Sequence, residues 1–120
     1  MIRDWDLIRK ILLQLEEHKN GPVTTAPVIE NYTSDEIAYA LTIMNDAKFF
    51  VATETKRPGS KYPGIMPTRL TWEGHDFLDA ARDEDRWNKA KKIITEMGGN
   101  VPFDVLNTIL LSLMMAQIPK

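Results

Sequence analysis

The sequence predicts a mainly α-helical chain with one small β-hairpin. Three observations lead there. Apolar residues recur at spacings of three and four along most of the 120 residues, the period of a helix buried on one side. Phe49-Phe-Val-Ala-Thr-Glu-Thr55 is instead dense in aromatic and β-branched residues, and the turn-forming run Arg57-Pro-Gly-Ser-Lys-Tyr-Pro-Gly64 follows it. Helix-starting residues precede several of the apolar stripes: Asp4, Thr33, Thr71 and Pro102.

In chain order, residues 4–18 place Trp5, Ile8, Ile11, Leu12 and Leu15 on one helical face, with Asp4 as cap and Asn20-Gly21 as stop. Gly21 to Tyr32 contains Pro22 and Pro27 and is irregular, with a short strand at Val23–Thr25 or a turn of helix. Thr33-Ser-Asp-Glu36 is a capping box opening a helix at about 34–47, with Ile37, Ala40, Leu41 and Met44 as its stripe. The returning strand runs from Ile65 to Leu70, where Pro67 demands an edge or a bulge. Thr71 caps a helix with apolar Trp72, Phe77, Leu78 and Ala81, and Asp83-Glu-Asp85 breaks or bends it. Trp87, Ala90, Ile94 and Met97 carry the next stripe to Gly98-Gly99. Pro102 then opens the last helix in the first turn, where its missing N–H costs nothing.

Helix, extended segment, helix and hairpin is the order of a winged helix. The fold class is therefore a winged helix-turn-helix-like domain plus C-terminal helices. The expectation is a single domain over 1–120, with the winged unit at 1–71 and a helical extension at 72–120. Asp4-Trp-Asp-Leu-Ile-Arg-Lys-Ile-Leu-Leu13, Arg69-Leu-Thr-Trp-Glu-Gly-His-Asp-Phe-Leu-Asp-Ala-Ala-Arg-Asp83, Arg86-Trp-Asn-Lys-Ala-Lys-Lys92 and Phe103-Asp-Val-Leu106 resemble, in that order, the "domain of unknown function 2513" family. The resemblance covers nearly the whole chain. It implies a winged-helix-like fold and a phage or prophage setting, and no established activity. Two departures stand out. The family's second helix carries a His-Leu pair and ends in Ala-Gly, where this chain has Ala40-Leu41 and Ala47-Lys48. Lysine in a left-handed cap costs of order 1 kcal/mol relative to glycine.

Composition narrows function. Hydrophobic residues are 43%, charged residues 27%, cysteines none and the formal net charge −2. A disulfide framework, a thiolate nucleophile and cysteine-ligated metal are excluded. The N-terminus lacks an apolar signal core, and the apolar run from Ile109 to Ile118 falls short of the roughly 20 residues of a membrane span, so a cytoplasmic protein is expected. His18 and His75 stand apart from zinc-ligand spacings, and His75 is expected to be a partly buried, satisfied histidine. Asp76, Asp79 and Asp83 share one helical face and read as a solvated surface. No nucleophile elbow, phosphate-cradling glycine loop or zinc-protease motif occurs. The expectation is no enzyme, no metal and no cofactor.

Charge is segregated along the chain. Residues 21–47 contain Glu30, Asp35, Glu36 and Asp46 and no Lys or Arg. Residues 48–69 hold Lys48, Lys56, Arg57, Lys61 and Arg69 against Glu54. Phosphate attraction needs cations, so the hairpin suits a polyanion and the helix ahead of it does not. The candidate nucleic-acid residues are Lys56, Arg57, Lys61, Tyr62 and Arg69. In the last helix Phe103, Leu106, Leu110 and Leu113 alternate by three and four, the seam of paired helices. With Met114 they are the candidate homodimer interface, the protein is expected to be a dimer at micromolar concentration, and truncation after Asn100 is expected to give a monomer or an insoluble chain. Two functions follow. The first is a phage-type interaction protein that binds a host protein through acidic surfaces, for example to disarm a defence or transcription factor. The second is a winged-helix DNA-binding regulator that holds duplex DNA through the basic hairpin. The first ranks ahead.

Overall fold

The structure, a computed structural model, describes residues 2–17, 27–56, 58–59 and 61–119. It contains α1 (Trp5–Glu17), α2 (Ser34–Asp46), β1 (Phe50–Thr55), β2 (Gly64–Leu70), α3 (Trp72–Ala81), α4 (Glu84–Glu96) and α5 (Phe103–Ala116). The chain is thus mainly helical with one antiparallel hairpin, compatible with a winged helix. The expected strand at Val23–Thr25, the stop at Asn20-Gly21 and His18 lie outside the described residues. Two compact units divide at Met1–His75 and Asp76–Lys120, inside α3 and past the 71/72 division expected.

In the first unit, α1 starts where the Asp4 carboxylate accepts the Leu7 N–H at 3.1 Å. It buries Leu7, Ile8, Ile11, Leu12 and Leu15 and packs on α2 and β2. Trp5, expected on that face, is half-exposed instead, with the Arg3 guanidinium 4.6 Å over its ring. The α2 capping box forms in full: the Glu36 N–H donates to the Thr33 hydroxyl at 3.1 Å, and the Thr33 N–H to the Glu36 carboxylate at 2.9 Å. Each bond satisfies a donor that the helix itself cannot.

The end of α2 is a six-residue motif built on lysine. Lys48 takes φ +62°. Its N–H donates to the Asn45 carbonyl at 3.0 Å, and the Phe49 N–H to the Met44 carbonyl at 3.1 Å. These are the two bonds of a Schellman cap, and Met44 and Phe49 are both buried. The left-handed residue carries the Cβ strain that glycine lacks. Lys48→Gly is therefore expected to raise stability by about 0.5–1 kcal/mol. A thermal melt showing no gain, or a loss, would count against the cap geometry.

The hairpin pairs Phe50 with Leu70 and Val51 with Arg69, then slips so that Ala52 faces Pro67. The slip leaves Thr68 unpaired in the ladder, and its hydroxyl donates to the Val51 carbonyl at 3.0 Å. Pro67 has no N–H to give, so it sits at the bulge the sequence predicts.

Thr71 then ties hairpin to helix. Its hydroxyl donates to the Lys48 carbonyl at 2.6 Å and accepts the Gly74 N–H at 3.1 Å, while its own N–H donates to the Phe49 carbonyl at 3.0 Å. Trp72 is not a core position: its side chain is 79% exposed. At 100° per residue it lies about 140° from Phe77 around the helix, so Phe77, Leu78 and Ala81 turn inward and Trp72 turns out.

In the second unit α3 ends at Ala81, so the acidic run breaks the helix. Asp83 caps α4 by accepting the Arg86 N–H at 2.9 Å, which takes it off the face shared with Asp76 and Asp79. Asp79 pairs with Arg82 at 2.9 Å. α4 packs on α5, and Phe77 meets Phe103 edge-on with centroids 5.3 Å apart. Pro102 is the N-cap of α5, one residue before the helical position expected.

Candidate functional site

Five hairpin residues, Lys56, Arg57, Lys61, Tyr62 and Arg69, are the candidates for holding a nucleic acid. The fold divides them. Lys56, Lys61 and Tyr62 line a shallow groove at the hairpin tip together with Glu54. Arg69 sits at the other end of β2, next to Leu70. The seven residues of that strand separate the two ends by about 20 Å. Arg57 lies outside the described residues. The tip cations are exposed, but Glu54 shares their groove and offsets part of their charge.

The helix ahead of the hairpin is partly covered. The Tyr62 ring packs against Tyr39 of α2, centroids 5.6 Å apart and planes 56° apart. The Thr42 hydroxyl donates to the Ala38 carbonyl at 2.8 Å, so its donor is spent on its own helix. What α2 turns to solvent is then chiefly Ser34, Asp35, Glu36 and Asp46. Acids in the first turn also oppose the positive helix end that could have met a phosphate.

The start of α1 and of α2 come together around Tyr32. Lys10 lies 5.5 Å over its ring, and Asp4, Asp6 and Glu36 are close enough to act on its phenol. Burial raises the Tyr32 pKa above its ordinary value of 10.0, and the charge of Asp4 and a hydrogen bond to Asp4 raise it further. The neutral phenol is favoured by folding. Its contribution is complete below about pH 10 and disappears as pH climbs through the raised folded value. Thermal melts from about pH 8 to about pH 11 should show a steeper alkaline loss for the wild type than for Tyr32→Phe. Equal slopes would contradict the coupling to Asp4.

The base of the hairpin holds a surface that the spacing of charges does not reveal. Trp72 and Val51 are exposed there, with Arg69 directly across from Val51 on the same side of the sheet. Lys48 and Glu73 are exposed beside Thr71. Helical angle is the signal that could have found Trp72, because Phe77 and Leu78 leave it on the far side of α3. His75 is exposed, which corrects the expectation of a partly buried histidine. Among the described residues no group of three or more His, Asp or Glu is placed to hold a metal ion.

The expected dimer seam is corrected as well. Leu106 and Leu110 are 0% exposed within the single chain, and Phe103, Leu113 and Met114 are half-buried. The seam is the core of the α4–α5 pair. The large apolar side chains that α5 leaves in solvent are Leu111 and Met115, with Ile118 just beyond the helix. Among the described residues no helix is long and apolar enough to cross a membrane.

A family model described as "Hypothetical protein (DUF2513)" matches residues 2–100. A protein of Haemophilus influenzae, described as an uncharacterized protein, is 28% identical over 110 residues, covering 91% of this chain and 92% of its own. No solved structure matches.

Proposed function

This chain belongs to the DUF2513 family, and from that premise we propose that it is a non-enzymatic interaction protein whose partner is another protein. The observation that supports this most is the outer side of α2. A duplex reader of this fold lays that helix in the major groove and touches phosphates with the hairpin. Here the helix presents acids, its tyrosine is covered by the hairpin, and the cations stand at two ends of a strand. A duplex laid along that helix would meet the exposed carboxylates of Asp35, Glu36 and Asp46.

In the phage setting that the sequence suggests, the partner is a host protein in the host cytoplasm, and disarming a defence factor is one role such binding would serve. Self-association is the weaker form of the proposal. Leu111, Met115 and Ile118 are three side chains, well short of the ~800 Å² per partner of a stable interface.

A second reading keeps one observation in its favour: Lys56 and Lys61 line the same open groove at the hairpin tip, with the Tyr62 edge beside them. That is a surface for duplex backbone. Mobility shift with a random duplex at about 50 and about 200 mM salt separates the two. The protein-binding reading expects no retardation at either salt. A shift that weakens steeply with salt, and that is lost in Lys56→Ala/Lys61→Ala, would overturn it.

A further inference from the structure

We infer that the outer edge of β1 docks a second copy of this chain: two hairpins pair antiparallel through Glu54-Thr55-Lys56 and join into one continuous sheet. The inference goes beyond the proposed function and does not use the exposed side chains of α5.

Pro67 fixes which backbone groups of β1 are free. The Thr71 N–H donates to the Phe49 carbonyl at 3.0 Å, so that pair is hydrogen-bonded. Bonded and non-bonded pairs alternate along an antiparallel ladder. Val51 is then bonded to Arg69, and Phe50 and Ala52 turn their N–H and C=O away from β2. Pro67 stands across from Ala52 with no N–H to give, which agrees. By the same alternation Thr53 and Thr55 turn their backbone groups toward β2, and Glu54 and Lys56 turn theirs outward. Among the described residues no backbone group outside the hairpin pairs with Ala52 or Glu54. Residues 53–56 are exposed on both faces of the strand. The edge of β2 differs: Pro67 turns its nitrogen outward there, and α1 packs on that strand. Proline blunts a sheet edge against added strands, and β1 has none. An open edge of this kind takes an extended segment through main-chain hydrogen bonds.

The side chains select a second copy. An added antiparallel strand needs an acid opposite Lys56, a base opposite Glu54 and a β-branched residue opposite Thr55. In chain order that is acid, β-branched, base, and this stretch itself reads Glu54-Thr55-Lys56. A two-fold axis through Thr55 therefore sets each Glu54 against Lys56 of the other copy, with the threonines side by side. Other registers fail. An axis at residue 54 sets Glu54 against Glu54. One at residue 56 sets Lys56 against Lys56 and asks Pro58 for an N–H. One at Thr53 leaves both charges facing Ala52 and Phe50. The remaining charges do not choose among registers. Arg69 sits at the far end of its strand, outside the overlap. Lys61 and, by sequence, Arg57 add cations to each tip that oppose association at low salt. The two Lys61 stand about three strand spacings apart, roughly 14 Å, beyond the ~8 Å screening length at physiological salt. The overlap is short, well under the ~800 Å² per partner of a stable interface, so the dimer is weak and reversible.

The test is sedimentation equilibrium of the full chain from about 10 µM to about 1 mM, at about 0.15 M salt. Reversible dimerisation is expected in the upper part of that range. Glu54→Lys and Lys56→Glu change exposed positions and should melt like the wild type, which is checked first. Each alone should dimerise about tenfold more weakly or worse, because like charges then meet twice across the axis. Mixed in equal amounts, the two variants should associate with each other as the wild type does with itself, since each presents the charge the other lacks. In NMR spectra the Glu54 and Lys56 amides should shift and gain exchange protection as concentration rises, and those of Thr53 and Thr55 should change less. A wild type still monomeric at about 1 mM would overturn the inference. So would a dimer that neither reversal weakens, variants that stay apart on mixing, or Glu54 and Lys56 amides indifferent to concentration. A dimer lost in Met115→Ser and untouched by both reversals would overturn it too, by moving self-association to α5.

Discussion

Gly74→Ala should be the most damaging small substitution in the first unit, costing at least about 3 kcal/mol. A Cβ built on Gly74 falls 2.0 Å from the Phe49 carbonyl oxygen and 2.9 Å from its carbon. Both are backbone atoms, so no side-chain rotation relieves the overlap. The carbonyl is also engaged: it accepts the Thr71 N–H at 3.0 Å, and Phe49 closes the Schellman cap on α2. Moving it loosens the hairpin base, the end of α2 and the start of α3 together. Gly98→Ala is the control. Gly98 has φ +112° and no atom within 4 Å of the added carbon, so its cost is backbone strain alone, of order 1–2 kcal/mol. Denaturant midpoints should rank Gly98→Ala well above Gly74→Ala. If Gly74→Ala unfolds within about 1 kcal/mol of the wild type, the close approach of α3 to Phe49 is not rigid.

The same region shows what the sequence could and could not reveal. Local chemistry was legible: the Thr33–Glu36 box, the Asp4 cap, the Thr71 cap and the Pro67 bulge each depend on residues near in sequence, and each forms. So was the strain at Lys48, because helix ends demand a left-handed residue wherever Ala-Gly would otherwise stand. Gly74 reads as mere flexibility in the sequence. Its necessity comes from Phe49, 25 positions away, and long-range approach leaves no mark in spacing. The candidate site suffered in the same way. A tally of charge puts Lys56, Lys61 and Arg69 in one segment, but an extended strand carries Arg69 to the opposite end. An apolar heptad seam on α5 states that the helix is covered, without saying by what, and α4 covers it. Trp72 was the avoidable miss, since the angles of Phe77 and Leu78 already turned it outward.

Arg86→Ala should cost the second unit about 2–4 kcal/mol, although the residue bears a charge and no carboxylate is needed to hold it. Arg86 is 8% exposed. Its Nε donates to the Ala80 carbonyl at 2.8 Å, Nη2 to the Asp79 carbonyl at 3.1 Å, and Nη1 to the Gln117 side-chain oxygen at 2.7 Å. The first two acceptors belong to the last turn of α3, where carbonyls lack helical partners and a cation meets the negative helix end. The third is the C-cap residue of α5. One planar fork thus closes α3 and fastens the end of α5, from a position whose own N–H is held by Asp83. Removing it orphans the buried Ala80 carbonyl and the part-buried Asp79 carbonyl and leaves a cavity. Burying a charge is itself expensive, so Arg86→Met decides which effect wins. If desolvation dominated, methionine would match or exceed the wild type, as apolar replacements of buried ions often do. The geometry says otherwise, because the carbonyls stay behind unpaired. Arg86→Met should therefore lose about 1–3 kcal/mol, and Arg86→Lys a similar amount, since one ammonium cannot serve three acceptors in a plane. A double-mutant cycle with Gln117→Ala should give a coupling near 1 kcal/mol. Hydrogen exchange adds the location: amides of α4 and α5 should lose protection in Arg86→Ala. Methionine as stable as arginine would show that the fork repays less than its own desolvation.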